Sequence, residues 1–90
     1  MNVNDQTDHL LSGLTNMTNK QQILIALLNG QHITRQGKSS WKWEDRNVPT
    51  KPSLNNSDTS SLFRADFVTE INDQMVLTEM GKLVAKALKM

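Results

Sequence analysis

The sequence predicts a small α+β domain, and three observations lead to this expectation. Apolar residues recur at helical spacing within residues 19–29 and again within residues 78–88. Between these stretches lie segments in which apolar and polar residues alternate, as they do in half-buried β-strands. The chain has 90 residues, which is enough for one domain in which helices pack on small antiparallel sheets.

The N-terminus is expected to be a polar arm covering residues 1–17, and the domain itself to cover residues 18–90. Within the arm only the stretch HLLSGL, residues 9–14, is apolar. This stretch can form a short helix of one or two turns, which Gly13 would end.

The first strong helix is predicted at Asn19–Asn29. Thr18 and Gln21 have the spacing of a capping box at its start. Gly30 suits the left-handed conformation that often follows the last helical residue. The helix therefore has both a start signal and a stop signal.

The next segment, QHITRQGKSSWKWE at residues 31–44, predicts a β-hairpin. Gly37 and two serines supply turn residues in its middle, and they would interrupt a helix. Trp41 and Trp43 lie two residues apart, so both should face one side of the second strand while Lys42 faces the other. Prolines at positions 49 and 52 then end regular structure and leave a loop.

The second half of the chain predicts a short helix and a second hairpin. Ser57 or Asp58 can cap the short helix. From Phe67 onward the apolar period becomes two, and the stretches FVTEI and QMVLT flank Asn72-Asp73. Asn-Asp between alternating strands indicates a two-residue hairpin turn. The expected order is thus helix, hairpin, loop, short helix, hairpin and helix.

The last helix is predicted to begin after Thr78, with Glu79 in its first turn. Its apolar stripe consists of Met80, Leu83, Val84, Ala87 and Leu88, opposite a stripe of three lysines. Gly81 in a helix costs about 1 kcal/mol relative to alanine, which indicates that another backbone passes close to it. The expected core of the domain comprises Ile23, Leu24, Leu27, Leu28, Ile33, Leu62, Phe67, Ile71, Leu77, Leu83, Val84 and Leu88.

Composition excludes several classes of function. The chain has no cysteine, which excludes disulfides and thiolate metal sites and is compatible with a reducing compartment. The longest apolar run, ILIALL, is too short to span a bilayer. The acidic N-terminal stretch lacks the positive charge of a signal peptide. We therefore expect a cytoplasmic protein with no membrane partner.

No constellation of residues indicates an enzyme, a metal site or a cofactor. The letters GKS at residues 37–39 resemble the end of a phosphate-binding loop, but that motif needs a glycine where His32 stands. His9 and His32 lack companion metal ligands, and Glu44 and Asp45 should point to opposite faces of a strand. We therefore expect a non-enzymatic protein without a cofactor or bound metal.

Charge is sorted along the chain although the net charge is only +1. Residues 30–54 carry five basic against two acidic side chains, whereas residues 55–78 carry one basic against four acidic. From residue 79 onward three lysines face one glutamate. An electrostatic binding surface is therefore expected in the middle of the chain or at its C-terminus.

The segment DFVTEINDQMVLTEMGKLVAKAL, residues 66–88, resembles the winged-helix superfamily. In that superfamily a recognition helix leads into a hairpin wing, and a Leu-Thr-Glu-x-Gly segment opens the final helix. Here Leu77, Thr78, Glu79 and Gly81 match that segment, and LFRADFV stands where the recognition helix runs into the first wing strand. QQILIALLNG resembles the first helix of such domains, so the similarity covers half to two-thirds of the chain. It implies a small winged-helix-like domain. The sequence departs from the family where a hairpin and loop precede the recognition helix and where the wing carries acids.

The resemblance implies DNA binding and a role in transcription regulation, with the helix Ser57–Ala65 in the major groove. Carried over by position, the contact residues are Asn56, Ser57, Thr59, Ser60, Ser61 and Arg64. The basic side chains of the first hairpin, Arg35, Lys38 and Lys42, are expected to add contacts to phosphates.

The alternative is a protein-interaction module on the same scaffold. Trp41 and Trp43 can either lie on the core with Ile33 or form an exposed aromatic platform for a partner. In the second case these tryptophans and the acidic second hairpin would be the contact surface for a protein partner. The apolar stretch at residues 9–14 could also support a homodimer.

Overall fold

A computed structural model describes residues 17–46 and 51–89, and within these ranges the α+β class is confirmed. The elements in chain order are α1 Asn19–Leu28, β1 Ile33–Arg35, β2 Trp41–Trp43, α2 Asn56–Arg64, β3 Val68–Ile71, β4 Gln74–Leu77 and α3 Glu79–Lys89. The apolar stretch at residues 9–14 lies outside the described residues, as does Pro49.

The two hairpins join into one four-stranded antiparallel sheet with the order β2-β1-β4-β3. The pairing that joins them is between β1 and β4, where Ile33 lies opposite Met75 and Thr34 lies opposite Gln74. The sequence predicts each hairpin from local signals, whereas this pairing connects residues that are distant in the chain. The two hairpins therefore form a single sheet.

Both hairpin turns lie where the sequence predicts them. Asn72 and Asp73 have φ angles of 53° and 64°, and they form a two-residue turn between Ile71 and Gln74. Asn and Asp tolerate this left-handed conformation better than most residues. In the first hairpin the letters GKS lie in the turn, which is closed by a 2.8 Å bond from the Gln36 amide to the Ser40 carbonyl.

Helix caps follow the predictions at α1 and differ at α2. At α1 both bonds of the predicted capping box between Thr18 and Gln21 are present. At α2 the N-cap is Asn55, whose side chain accepts a 2.8 Å bond from the Asp58 amide. Ser57 and Asp58, the predicted caps, instead lie in the first turn, where the Asp58 carboxylate complements the helix dipole.

The core lies between the sheet and the helices. Its buried apolar residues are Ile23, Leu24, Ala26, Ile33, Trp41, Leu62, Val68, Met75 and Ala85. Six further residues of the predicted core are partly buried against this cluster: Leu27, Leu28, Phe67, Leu77, Val84 and Leu88. Most of the predicted core is therefore confirmed. The buried residues outside the prediction are Ala26, Val68, Met75 and Ala85, and Trp41 has the core position that was one of its two alternatives.

The predicted core positions of two residues are wrong, because Ile71 is 55% exposed and Leu83 is 67% exposed. Strand alternation puts Val68 on the core side of β3 and Ile71 on the other side. In α3 the face against the core is the one that carries Gly81 and Ala85, which are both buried. The predicted stripe is therefore rotated, and Met80 at 51% exposure is also outside the core.

Gly81 is the point at which α3 approaches the end of the sheet. A Cβ at this position would lie 1.9 Å from the carbonyl oxygen of Phe67 and 3.2 Å from the Leu77 side chain. That carbonyl accepts a 3.0 Å bond from the Thr78 amide, and the Thr78 hydroxyl in turn accepts a 3.0 Å bond from the Gly81 amide. The predicted close approach of another backbone is confirmed.

We expect Gly81→Ala to lower the free energy of unfolding by about 2–4 kcal/mol, because the new methyl group meets backbone atoms that cannot move alone. In an unconstrained helix the same change would stabilise by about 1 kcal/mol, so the two cases differ in sign. Urea denaturation followed by circular dichroism measures the difference.

Gly37→Ala is the matched control, because the Cβ that alanine would add there lies 3.9 Å from the nearest side-chain atom. We expect it to change stability by less than about 0.5 kcal/mol. A Gly81→Ala variant as stable as the wild type would show that α3 can move away from Phe67.

Candidate nucleic-acid interface

The loop of the first hairpin and the middle of α2 border one open cleft of about 270 Å³. The sequence places these two segments in different parts of the chain, and the fold brings them together. The polar residues that line the cleft are Arg35, Lys38, Ser39, Ser60, Glu70 and the buried Thr59. Besides Thr59, three predicted DNA-contact residues, Arg35, Lys38 and Ser60, therefore share this surface.

Trp41 forms the floor of this cleft and attaches the hairpin to α2. Its side chain is 7% exposed, and its ring stacks on Phe63 with a centroid distance of 5.6 Å and an interplanar angle of 27°. The Arg35 guanidinium carbon lies 4.5 Å from the centre of the Trp41 ring. The position of the hairpin loop relative to α2 is thus set by an aromatic stack and a cation–π contact.

Of the two positions expected for the tryptophans, the structure has the one on the core, because Trp41 is buried and Trp43 is half-buried. Both belong to the core face of β2, as the alternation with exposed Lys42 requires. The Trp43 indole N–H donates a 2.9 Å bond to the carbonyl of Pro52, so its polar atom is satisfied within the protein. The tryptophans serve packing.

Arg35 is fixed by bonds from every nitrogen of its guanidinium. Nε donates a 2.9 Å bond to Glu70 Oε2, and Nη2 donates to Oε1 of the same carboxylate. Nη1 donates to the carbonyls of Gly37, at 3.0 Å, and Lys38. The hydrogen bond from Arg35 holds the pKa of Glu70 below its ordinary value, and the same bond raises the pKa of Arg35.

The predicted contact residues of α2 divide into exposed and internally bonded ones. Four are exposed: Asn56, Ser57, Ser60 and Arg64. Thr59 is 2% exposed and its hydroxyl donates a 3.0 Å bond to the Asn55 carbonyl, so its side chain is directed into the protein. Ser61 is half-buried, and its hydroxyl donates a 2.9 Å bond to the Ser57 carbonyl.

Lys42 does not share the surface of the cleft. It is exposed, but it lies on the opposite face of β2 from Trp41, and α2 packs on the Trp41 side. The alternation within β2 therefore separates it from Lys38 and Arg35. Of the three basic residues predicted on the first hairpin, the structure brings two to the cleft.

The start of α2 is attached to α1 by a network of amide and carboxylate groups that no sequence motif predicts. Asn19 donates a 2.8 Å bond to Asp58 Oδ2 and accepts a 2.8 Å bond from the Ser53 amide. Asn55 donates a 3.0 Å bond to the same oxygen of Asp58. The bonds from Asn55 and Asn19 hold the pKa of Asp58 below its ordinary value.

Within residues 17–46 and 51–89, no group of three or more His, Asp or Glu side chains could hold a metal ion. No helix in the described part of the chain is both long and apolar enough to cross a membrane. Comparison of the chain with protein-family models, curated proteins and solved structures found no match.

We expect stability to fall on acidification as Asp58 and Glu70 take up protons. Both carboxylates have a lowered pKa in the folded protein, so their contribution is fully present above the unfolded-state pKa of about 4. The contribution of each carboxylate is lost as the pH falls through its pKa in the folded protein, which lies below its pKa in the unfolded chain. Urea unfolding midpoints measured between pH 7 and pH 3 test this.

Asp58→Asn should be less stable than the wild type at pH 7. Its urea unfolding midpoint should fall less between pH 5 and pH 3 than that of the wild type. Glu79→Gln is the control, since the Glu79 side chain is 93% exposed. An acid dependence of Asp58→Asn equal to that of the wild type would contradict the role given to the Asn55–Asp58–Asn19 network.

Proposed function

We propose that this protein is a non-enzymatic DNA-binding protein, with α2 as the element that enters the major groove. The observation that carries the proposal is that Ser60 of α2 lines one cleft together with Lys38 and Ser39 of the first hairpin. Residues from two distant segments thus border the same surface, which includes the basic side chains of Arg35 and Lys38.

The exposed residues of α2 are spaced so that they lie on one side of the helix. Positions 56, 57, 60 and 64 fall within an arc of about 100° at 3.6 residues per turn. Asn and Ser side chains can bond to base edges and to phosphates, and Arg64 at the C-terminal end can bond to a phosphate or a guanine. Such a row of side chains suits a helix lying along a groove.

A winged-helix arrangement is part of the proposal. In it, α2 is the recognition helix, the β3–β4 hairpin is the wing, and α3 packs against α1. The β1–β2 hairpin takes the place of the helix that normally precedes the recognition helix. Because the wing carries Glu70 and Asp73, we propose that the loop of the first hairpin, with Lys38, contacts the phosphates instead.

The alternative, a protein-interaction module, requires Trp41 and Trp43 to be exposed aromatic residues. Trp41 is only 7% exposed. Aromatic anchors at protein interfaces act by entering a partner's pocket, which a buried ring cannot do. We therefore favour DNA binding over a protein partner.

We expect the protein to bind random-sequence duplex DNA at low salt, with an affinity that falls steeply as salt is added. Each phosphate that a basic side chain neutralises contributes about 0.9 to the slope of log K against log salt. Lys38→Gln and Arg64→Gln should each reduce the slope by about this amount. Fluorescence anisotropy of a labelled 20-base-pair duplex measures it.

Lys42→Gln is the matched control, because it removes the same charge from the other face of the sheet. The slope of log K against log salt for Lys42→Gln should equal that of the wild type. If no complex forms even at low salt, the proposal of DNA binding is wrong. If Lys42→Gln lowers the slope as much as Lys38→Gln does, the protein binds DNA through a different surface.

A further inference from the structure

The Glu70 carboxylate lies where an external anion would bind the Arg35 guanidinium. Its two oxygens accept bonds from Nε and Nη2, which is the bidentate arrangement that arginine also makes with phosphate. The remaining nitrogen, Nη1, is bonded to the hairpin loop. The side of the guanidinium that recognises anions is thus occupied from within the protein.

Further donor groups line the cleft around this ion pair. Lys38, Ser39 and Ser60 border the same cleft as the Arg35–Glu70 pair, and their side chains carry an ammonium group and two hydroxyl groups. A backbone phosphate has two non-bridging oxygens, and each can accept more than one hydrogen bond. It can therefore accept the bidentate bonds of Arg35 and a further bond from Lys38 or from a hydroxyl.

We propose that Arg35, Lys38 and Ser60 form a binding site for one DNA backbone phosphate, and that Glu70 blocks this site in the free protein. This inference rests on the proposed function and adds a specific contact to it. When DNA binds, the phosphate takes the place of the carboxylate on Arg35. Glu70 then turns to solvent.

The fold allows this exchange. Glu70 lies on β3, the edge strand of the sheet, and its side chain is 32% exposed. Turning the side chain outward breaks no bond of the strand pairing. Arg35 stays in place, because the Trp41 ring and the loop carbonyls hold it independently of Glu70. The phosphate site is therefore formed before the ligand arrives.

The exchange has a cost that limits affinity, because the Arg35–Glu70 pair must be broken before the phosphate contact forms. Removing the carboxylate removes this competition. Glu70→Gln should therefore bind the random-sequence duplex more tightly than the wild type, by about fivefold at 100 mM salt. The slope of log K against log salt should equal that of the wild type, because the phosphate contacts Arg35 in both complexes.

Asp73→Asn controls for the loss of a negative charge near the cleft. Asp73 lies at the turn of the same hairpin and acts on Arg35 through its charge, whereas Glu70 accepts the two bonds that Arg35 donates. Asparagine also accepts the left-handed backbone at this position. We expect Asp73→Asn to gain less than twofold in affinity, since long-range attraction is screened by salt.

The double variant Arg35→Lys with Glu70→Gln tests the bidentate contact itself. Lysine keeps the positive charge but lacks the planar fork of arginine. We expect the double variant to lose the gain seen in Glu70→Gln. Circular dichroism of each variant at 25 °C shows whether it is folded before its affinity is measured.

The outcomes separate this inference from the function on which it rests. A wild-type protein that binds DNA, together with equal gains in Glu70→Gln and Asp73→Asn, overturns the phosphate site and leaves DNA binding standing. A double variant that keeps the full gain also overturns it. Absence of binding by both the wild type and Glu70→Gln at low salt overturns DNA binding, and the phosphate site with it.

Discussion

The arrangement of the cleft depends on the burial of Trp41 between two partners of different chemistry. One partner is the Phe63 ring of α2, and the other is the Arg35 guanidinium of β1. The first contact sets where the hairpin meets the helix, and the second fixes the direction of the arginine. A small domain with two phenylalanines and two tryptophans has few large side chains for this purpose. The same residue therefore contributes both to the core and to the shape of the surface.

The parts of the fold that sequence reasoning predicted are those with local causes. The capping box at Thr18, the Asn72-Asp73 turn and the alternation around Lys42 each depend on residues within a few positions of one another. The parts that it missed depend on contacts between distant segments. The pairing of β1 with β4 has no local signature, and neither does the rotation of α3 that exposes Leu83. Gly81 was the exception, because a glycine in a helical turn indicates a close neighbour without naming it.

The candidate surface shows the same division. Sequence similarity and charge indicated Arg35, Lys38 and Ser60, and the fold placed all three around one cleft. Neither source could show that Thr59 turns inward, because a threonine in a short helix can face either way. Neither could show that an acid of the second hairpin reaches an arginine of the first across the intervening strand. That contact exists only because the two hairpins form one sheet.

The pairing of β1 with β4 also has a consequence for how the chain folds. Each hairpin closes over a short loop, so it can form early and at low entropic cost. The strand pairing between the hairpins contains two residue pairs, Ile33–Met75 and Thr34–Gln74, and this seam requires closure of a much longer loop. We therefore expect the seam to be the slow step of folding and the first place to open in the native state. Because Arg35 and Glu70 lie on opposite sides of this seam, the cleft exists only in molecules that have completed that step.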